Sequence, residues 1–110
     1  MKVPNADRAV VDIRKLTDYC LSHEHPRGKH KARVFLSALG MTATNADTFR
    51  DTLLQKVKSE TCAMGGVNEY GARYVVDFNY ARGDREAMVR SIWIIKAGED
   101  IPRLTSCFVL

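Results

Sequence analysis

The stretch 72-ARYVVDFNYARGDREAMVRSIWIIK-96 decides the fold. Its first nine residues alternate, with Tyr74, Val76, Phe78 and Tyr80 on one face and Arg73, Asp77 and Asn79 on the other. Only Val75 breaks the polarity. A period of two is the signature of a half-buried strand. "ARGDRE", residues 81–86, reads as a hairpin turn centred on Gly83-Asp84. "AMVRSIWIIK", residues 87–96, is rich in β-branched and aromatic residues and reads as the returning strand. After a second turn at "AGEDIP", "RLTSCFVL" supplies a third strand, and its last residues are expected in the core.

Upstream the period changes to that of helices. "VVDIRKLTDYCLS" places Ile13, Leu16, Tyr19 and Cys20 at three- and four-residue spacing, with Asp12 available as a cap and Ala9–Val11 as an extended lead-in. "HEHPRG", residues 23–28, interrupts it. Pro26 restricts the residue before it, and Gly28 relaxes the chain. "KHKARVFLSALG" is a second helix with an apolar stripe of Ala32, Phe35, Leu36 and Leu39 and a C-terminal Gly40. "TNADTFRDTLLQKVKSE" is a third. Thr44 and Asp47 suggest its capping box, and Phe49, Leu53, Leu54 and Val57 its buried face. "TCAMGGVNEYG", residues 61–71, reads as a loop hinged at Gly65-Gly66, with the option of a fourth strand. The expected fold is α+β: about three N-terminal helices packed on an antiparallel meander of three or four strands, in one domain spanning 1–110.

The composition sets bounds on function. The chain has 110 residues, 45% hydrophobic and 27% charged, enough for a core without staples. Its net charge of +4 permits an acidic partner and requires none. Cys20, Cys62 and Cys107 are odd in number and lack C-x-x-C spacing, so they read as reduced thiols in a cytoplasmic chain. No apolar run reaches the length of a membrane helix, and the N-terminus does not read as a secretory signal.

Chemistry concentrates in "HEHPRGKHKAR", residues 23–33. His23, His25 and His30 lack metalloenzyme spacing, so neither a metal nor a cofactor is expected. Lys29, Lys31 and Arg33 flank a helix start, where free N–H groups and the helix dipole favour an anion, and Gly28 would let a phosphate approach. His25, held before Pro26, is the candidate acid or base. On the strands, Arg90, Arg103 and Thr105 are candidates to complete a site, Arg103 and Thr105 sharing a face by simple alternation. Such a set could cleave RNA without metal: His25 moves a proton and the cations stabilise the phosphorane. The competing reading pairs Arg90 and Arg103 with carboxylates such as Asp77, Glu86 or Asp100. Trp93, Tyr70 and Tyr74 read as packing residues first.

The blocks "KLTDYCLS", "HPRGKHKARVFLSALG", "YGARYVVDF", "VRSIWII" and "GEDIPRLTSCFVL" together resemble an uncharacterised bacterial domain family. Its members occur as small standalone proteins and at the C-termini of polymorphic toxins. The resemblance covers about Ala9 to Leu110. Its context implies a toxin-like effector, and it matches the polar positions His25, Lys29, Lys31, Tyr70, Arg90, Arg103 and Thr105; as a ribonuclease such an effector would have an RNA substrate and a cognate antitoxin or immunity protein. The order of helices before meander is also similar at fold level to metal-independent RNases such as barnase, the colicin E5 and D nucleases and the RelE toxins. Fold does not fix function. The alternative is a non-catalytic binding module of a toxin–antitoxin or immunity pair, with a free edge strand for a partner or for a homodimer.

Overall fold

The alternating stretch forms the two central strands of a four-stranded antiparallel sheet in the computed structural model, which describes residues 1–110. The strands are β1 (Ala63–Asn68), β2 (Gly71–Arg82), β3 (Arg85–Lys96) and β4 (Arg103–Val109), in the spatial order β1-β2-β3-β4. Residues 61–71 are therefore not a glycine-hinged loop. They contribute the fourth strand, which pairs with β2 and carries an irregularity between Met64 and Gly66. The β2–β3 turn falls at Gly83-Asp84, and Gly83 takes a positive φ of 59° that a glycine adopts without strain.

Three helices precede the sheet. The first is π-helical over Leu16–Cys20, where the Leu21 N–H donates to Leu16 O at 2.8 Å. Asp12 opens this segment by accepting the Arg14 N–H at 3.0 Å. Helix α1 spans Gly28–Leu39 and ends on Gly40 in the left-handed conformation. Helix α2 spans Ala46–Ser59. The capping box before it joins Thr42 to Asn45, not Thr44 to Asp47: Asn45 Oδ1 accepts the Thr42 N–H at 2.9 Å. Arg82, at the end of β2, donates to Leu39 O at 2.7 Å, which places a cation on the negative end of α1.

The helices cover one face of the sheet. Tyr74, Val76 and Phe78 from β2, Val89 and Trp93 from β3, and Leu104 and Cys107 from β4 meet Leu16, Cys20, Phe35, Leu39, Phe49, Leu53 and Val57 in a single core. Leu36, expected in the stripe of α1, is instead 42% exposed, and Leu110 is exposed where the core was expected. On β2 and β3 the opposite face carries Val75, Asp77, Arg90 and Ile92, by strict alternation with the core residues. Leu104 N–H also donates to Val10 O at 3.0 Å, where the extended lead-in forms a parallel bridge with Arg103.

On β4 the alternation fails once. Trp93 pairs with Leu104 and Ile92 with Ser106, so Thr105 is the extra residue of a bulge. Its hydroxyl donates to Ile92 O at 3.1 Å. Across the bulge Leu104 and Cys107, three residues apart, both reach the core, with Thr105 and Ser106 between them.

Candidate functional site

Thr105 and Ser106, at the bulge, line a groove of about 760 Å³ between β4 and the π-helix. Asp12, Arg14, Lys15, Asp18 and Tyr19 form one wall, Thr105 and Ser106 the other, and His25 and Arg27 close one end. Eight of its nine lining residues are polar or charged if Tyr19 is counted with the apolar ones, so the groove suits a hydrated, charged ligand more than an apolar one.

Tyr19 is the centre of the arrangement. Its ring meets His25 edge-on, with centroids 4.8 Å apart. Lys31 Nζ reaches across from α1 and donates to Tyr19 Oη at 3.0 Å. The Tyr19 carbonyl packs so closely on α1 that a Cβ on Gly28 would lie 2.0 Å from its oxygen. Gly28 therefore serves helix packing and does not open a phosphate cradle. The π-helix makes this placement: one extra residue in the turn brings Tyr19 to the groove while Cys20 stays in the core. Such insertions concentrate at functional sites.

His25 is built into the start of α1. Its Nδ1 accepts the N–H groups of Arg27 and Gly28, each at 3.0 Å, and its carbonyl accepts the Lys29 N–H at 2.9 Å. Two consequences follow. The first N–H groups of α1 are occupied by His25 and do not wait for an anion. With Nδ1 accepting two backbone N–H groups, Nε2 is the ring nitrogen left free to face a ligand.

The expected basic rim of Lys29, Lys31 and Arg33 does not form. Lys29 and Arg33 are one helical turn apart on one side of α1, whereas Lys31 is about 200° round from Lys29. Lys31 faces β4, where its ammonium also lies 5.9 Å from the Phe108 ring centroid. No carboxylate pairs with it: the four ion pairs are Arg14–Asp12, Arg50–Asp47, Arg90–Asp77 and Arg103–Glu99.

Arg90 and Arg103 stand outside the groove. Arg90 is on the open face of the sheet and grips Asp77 with two bonds of 2.9 Å. That bond and the guanidinium charge hold the Asp77 carboxyl below its ordinary value, against some desolvation. Arg103 donates to Glu99 at 3.1 Å. Of the residues expected to converge, only His25 and Thr105 line the groove. His23 and His30 are exposed, and no three His, Cys, Asp or Glu side chains converge.

Tyr19, Asp18, Arg27 and Ser106 are site residues the sequence reading passed over. Helical spacing filed Tyr19 with the apolar stripe, and no signal in the chain marks the extra residue of the π-helix. A family model described as a domain of unknown function, DUF6883, matches residues 2–110. No curated protein and no solved structure matches the chain.

Proposed function

We propose that this chain, which belongs to the family DUF6883, is a metal-independent ribonuclease and acts as a toxin-like effector held in check by a cognate antitoxin or immunity protein. The observation that carries the reading is the half-buried Lys31 ammonium: it has no carboxylate partner and donates at 3.0 Å to Tyr19 Oη, whose ring meets His25 edge-on. A cation kept from its own carboxylates is matched to an incoming anion.

The chemistry is a transesterification. The Asp18 carboxylate lines the groove, outside every ion pair, and takes the proton from a ribose 2′-hydroxyl. The 2′-oxygen attacks phosphorus, and the bond to the 5′-oxygen breaks. Tyr19 gives its phenolic proton to that leaving oxygen, and Lys31 stabilises the phenolate left behind. Arg27 and the Nε2–H of His25 bind the phosphoryl oxygens, whose charge grows in the transition state. The Thr105 and Ser106 hydroxyls position the ribose. The products are a 2′,3′-cyclic phosphate and a 5′-hydroxyl.

The test is cleavage of end-labelled RNA by purified protein in excess EDTA. The expected result is cyclic-phosphate ends from wild type and none from Tyr19→Phe, with toxicity on expression relieved by the same substitution. Intact RNA with folded wild-type protein would remove the reading.

A second reading has an observation of its own. Strand β1 pairs only with β2, and Met64, Val67 and Tyr70 beside its free edge are 48%, 71% and 66% exposed. Such an edge accepts a strand from a partner protein or a second copy. A binding module of this kind would form a complex through β1 and leave RNA whole, a result read by the same assay together with sedimentation.

A further inference from the structure

Beneath the groove lie two thiols that the proposed reaction does not use. Cys20, at the end of the π-helix, and Cys107, on β4, are both fully buried. The Cys107 N–H donates to Cys20 Sγ at 3.4 Å, which brings the two residues together across the core. Ser106 Oγ, in the groove wall, is 4.0 Å from Cys20 Sγ. The sulfur therefore sits one side chain below the groove floor.

The environment gives the two sulfurs different tasks. The hydrogen bond from the Cys107 thiol, then the Cys107 N–H, the Ser106 hydroxyl and the Lys31 charge, lower Cys20 to about 7 despite its burial. Cys107 is pushed well up by its bond to Cys20, by burial and by the Cys20 charge. One sulfur is readied as a thiolate, and its neighbour stays a thiol. Cys62, half-buried between α2 and β1, is not part of this pair.

We infer that Cys20 and Cys107 form an oxidisable dithiol, a modification site that hydrogen peroxide closes to a disulfide between the π-helix and β4. The Cys20 thiolate attacks one peroxide oxygen, the O–O bond breaks, and the departing hydroxide takes a proton to become water. Cys20 is then a sulfenic acid. The Cys107 sulfur attacks it and loses its proton, the S–O bond breaks, and a second water leaves. Two thiols and one peroxide give one disulfide and two waters, the sulfurs together losing two electrons. The bond joins the segments that bear the groove's two walls, so it sets their separation without touching the lining residues.

The test is mass spectrometry of the folded full-length chain after peroxide treatment, with free thiols alkylated under denaturing conditions. The expected result is a loss of two hydrogen masses, two unlabelled cysteines and a Cys20–Cys107 linked peptide. Cys62→Ser should give the same result, and dithiothreitol should reverse it. Cys107→Ser should stop at a Cys20 sulfenic acid that dimedone traps. An unchanged mass, oxygen added at Cys20 in wild type without linkage, or a link through Cys62 would overturn the inference. Each readout concerns wild type or a variant at the half-buried cysteine as well, so a Cys107 variant that fails to fold does not blunt the test.

Discussion

Arg90 on the open face and Lys31 on the groove side are held differently. On the open face Arg90 has Asp77 and Arg103 has Glu99, each within hydrogen-bond distance. On the groove side Arg14 is likewise held by Asp12 at 2.7 Å, but Lys31 has only a phenol oxygen, and Lys15 and Arg27 have no carboxylate in an ion pair. A neutralised arginine has little left to offer a phosphate, whereas an unpaired ammonium has two free N–H donors and an uncompensated charge. Positive charge alone therefore does not mark a site in this chain. The marker is a cation near a concavity whose charge the fold leaves unspent.

The largest break in this contrast is expected from Gly28→Ala. Its methyl would collide with the Tyr19 carbonyl, separating α1 from the π-helix and dismantling the groove. A loss of about 3 kcal/mol is expected, read as a lower urea midpoint. Arg90→Met, on the open face, should leave the midpoint nearly where it was.

Next in size is activity. Lys31→Met should lower the RNA cleavage rate by about 10²-fold, as removal of a preorganised cation does. Arg90→Met and Arg103→Met should leave that rate unchanged. Equal losses from Lys31 and Arg90 variants would erase the distinction between the faces.

A smaller effect separates the two roles of His25. His25→Ala should cost about 1 kcal/mol through loss of an N-terminal cap. His25→Asn, whose Oδ1 can accept the same backbone N–H groups, should recover most of that stability and little of the activity, since the Nε2–H donor is gone. Urea midpoints and cleavage rates on the same samples check this.

The smallest effect belongs to the open face. The Asp77 carboxyl titrates lower in the folded chain than in the unfolded one, because Arg90 binds its charged form. Its contribution is thus full above the ordinary carboxylate range and fades as pH falls through the lowered folded value. Asp77→Asn should lower the Tm slightly at neutral pH, because the pair is partly open to solvent, and not at all at strongly acid pH, where Asp77 is protonated in either state. A deficit that grew on acidification would contradict the pairing.

Much of the architecture was legible because it rests on periodicity. Tyr74, Val76 and Phe78 alternate into the core as their spacing requires, and Ala32, Phe35 and Leu39 do so at helical spacing. The site was legible only in part, because it depends on two departures from period. The π-helix adds a residue to a turn and redirects Tyr19, and the β4 bulge adds one to a strand, so that Leu104 and Cys107 both reach the core with Thr105 and Ser106 between them. Neither insertion leaves a compositional trace. Arg90 was hard to place for another reason: in "VRSIWII" both faces are apolar, since Ile92 and Ile94 face away from the core that holds Val89 and Trp93, so alternation gave no parity. His25 was singled out because it precedes Pro26. Its bonds to the backbone of α1, which leave Nε2 free to face a ligand, arise only when the loop closes on the helix.

The central claim is that an RNA phosphate is held between the π-helix and β4. The direct measurement is an NMR titration of the ¹⁵N-labelled chain with a short 2′-O-methyl RNA, which binds without being cleaved by attack of its own hydroxyl. Amide shifts are expected at Tyr19, His25, Arg27, Lys31, Thr105 and Ser106, and are expected to be lost in Lys31→Met. Shifts centred on Asp77, Arg90 and Arg103, or on β1, or no shifts at any RNA concentration, would contradict it.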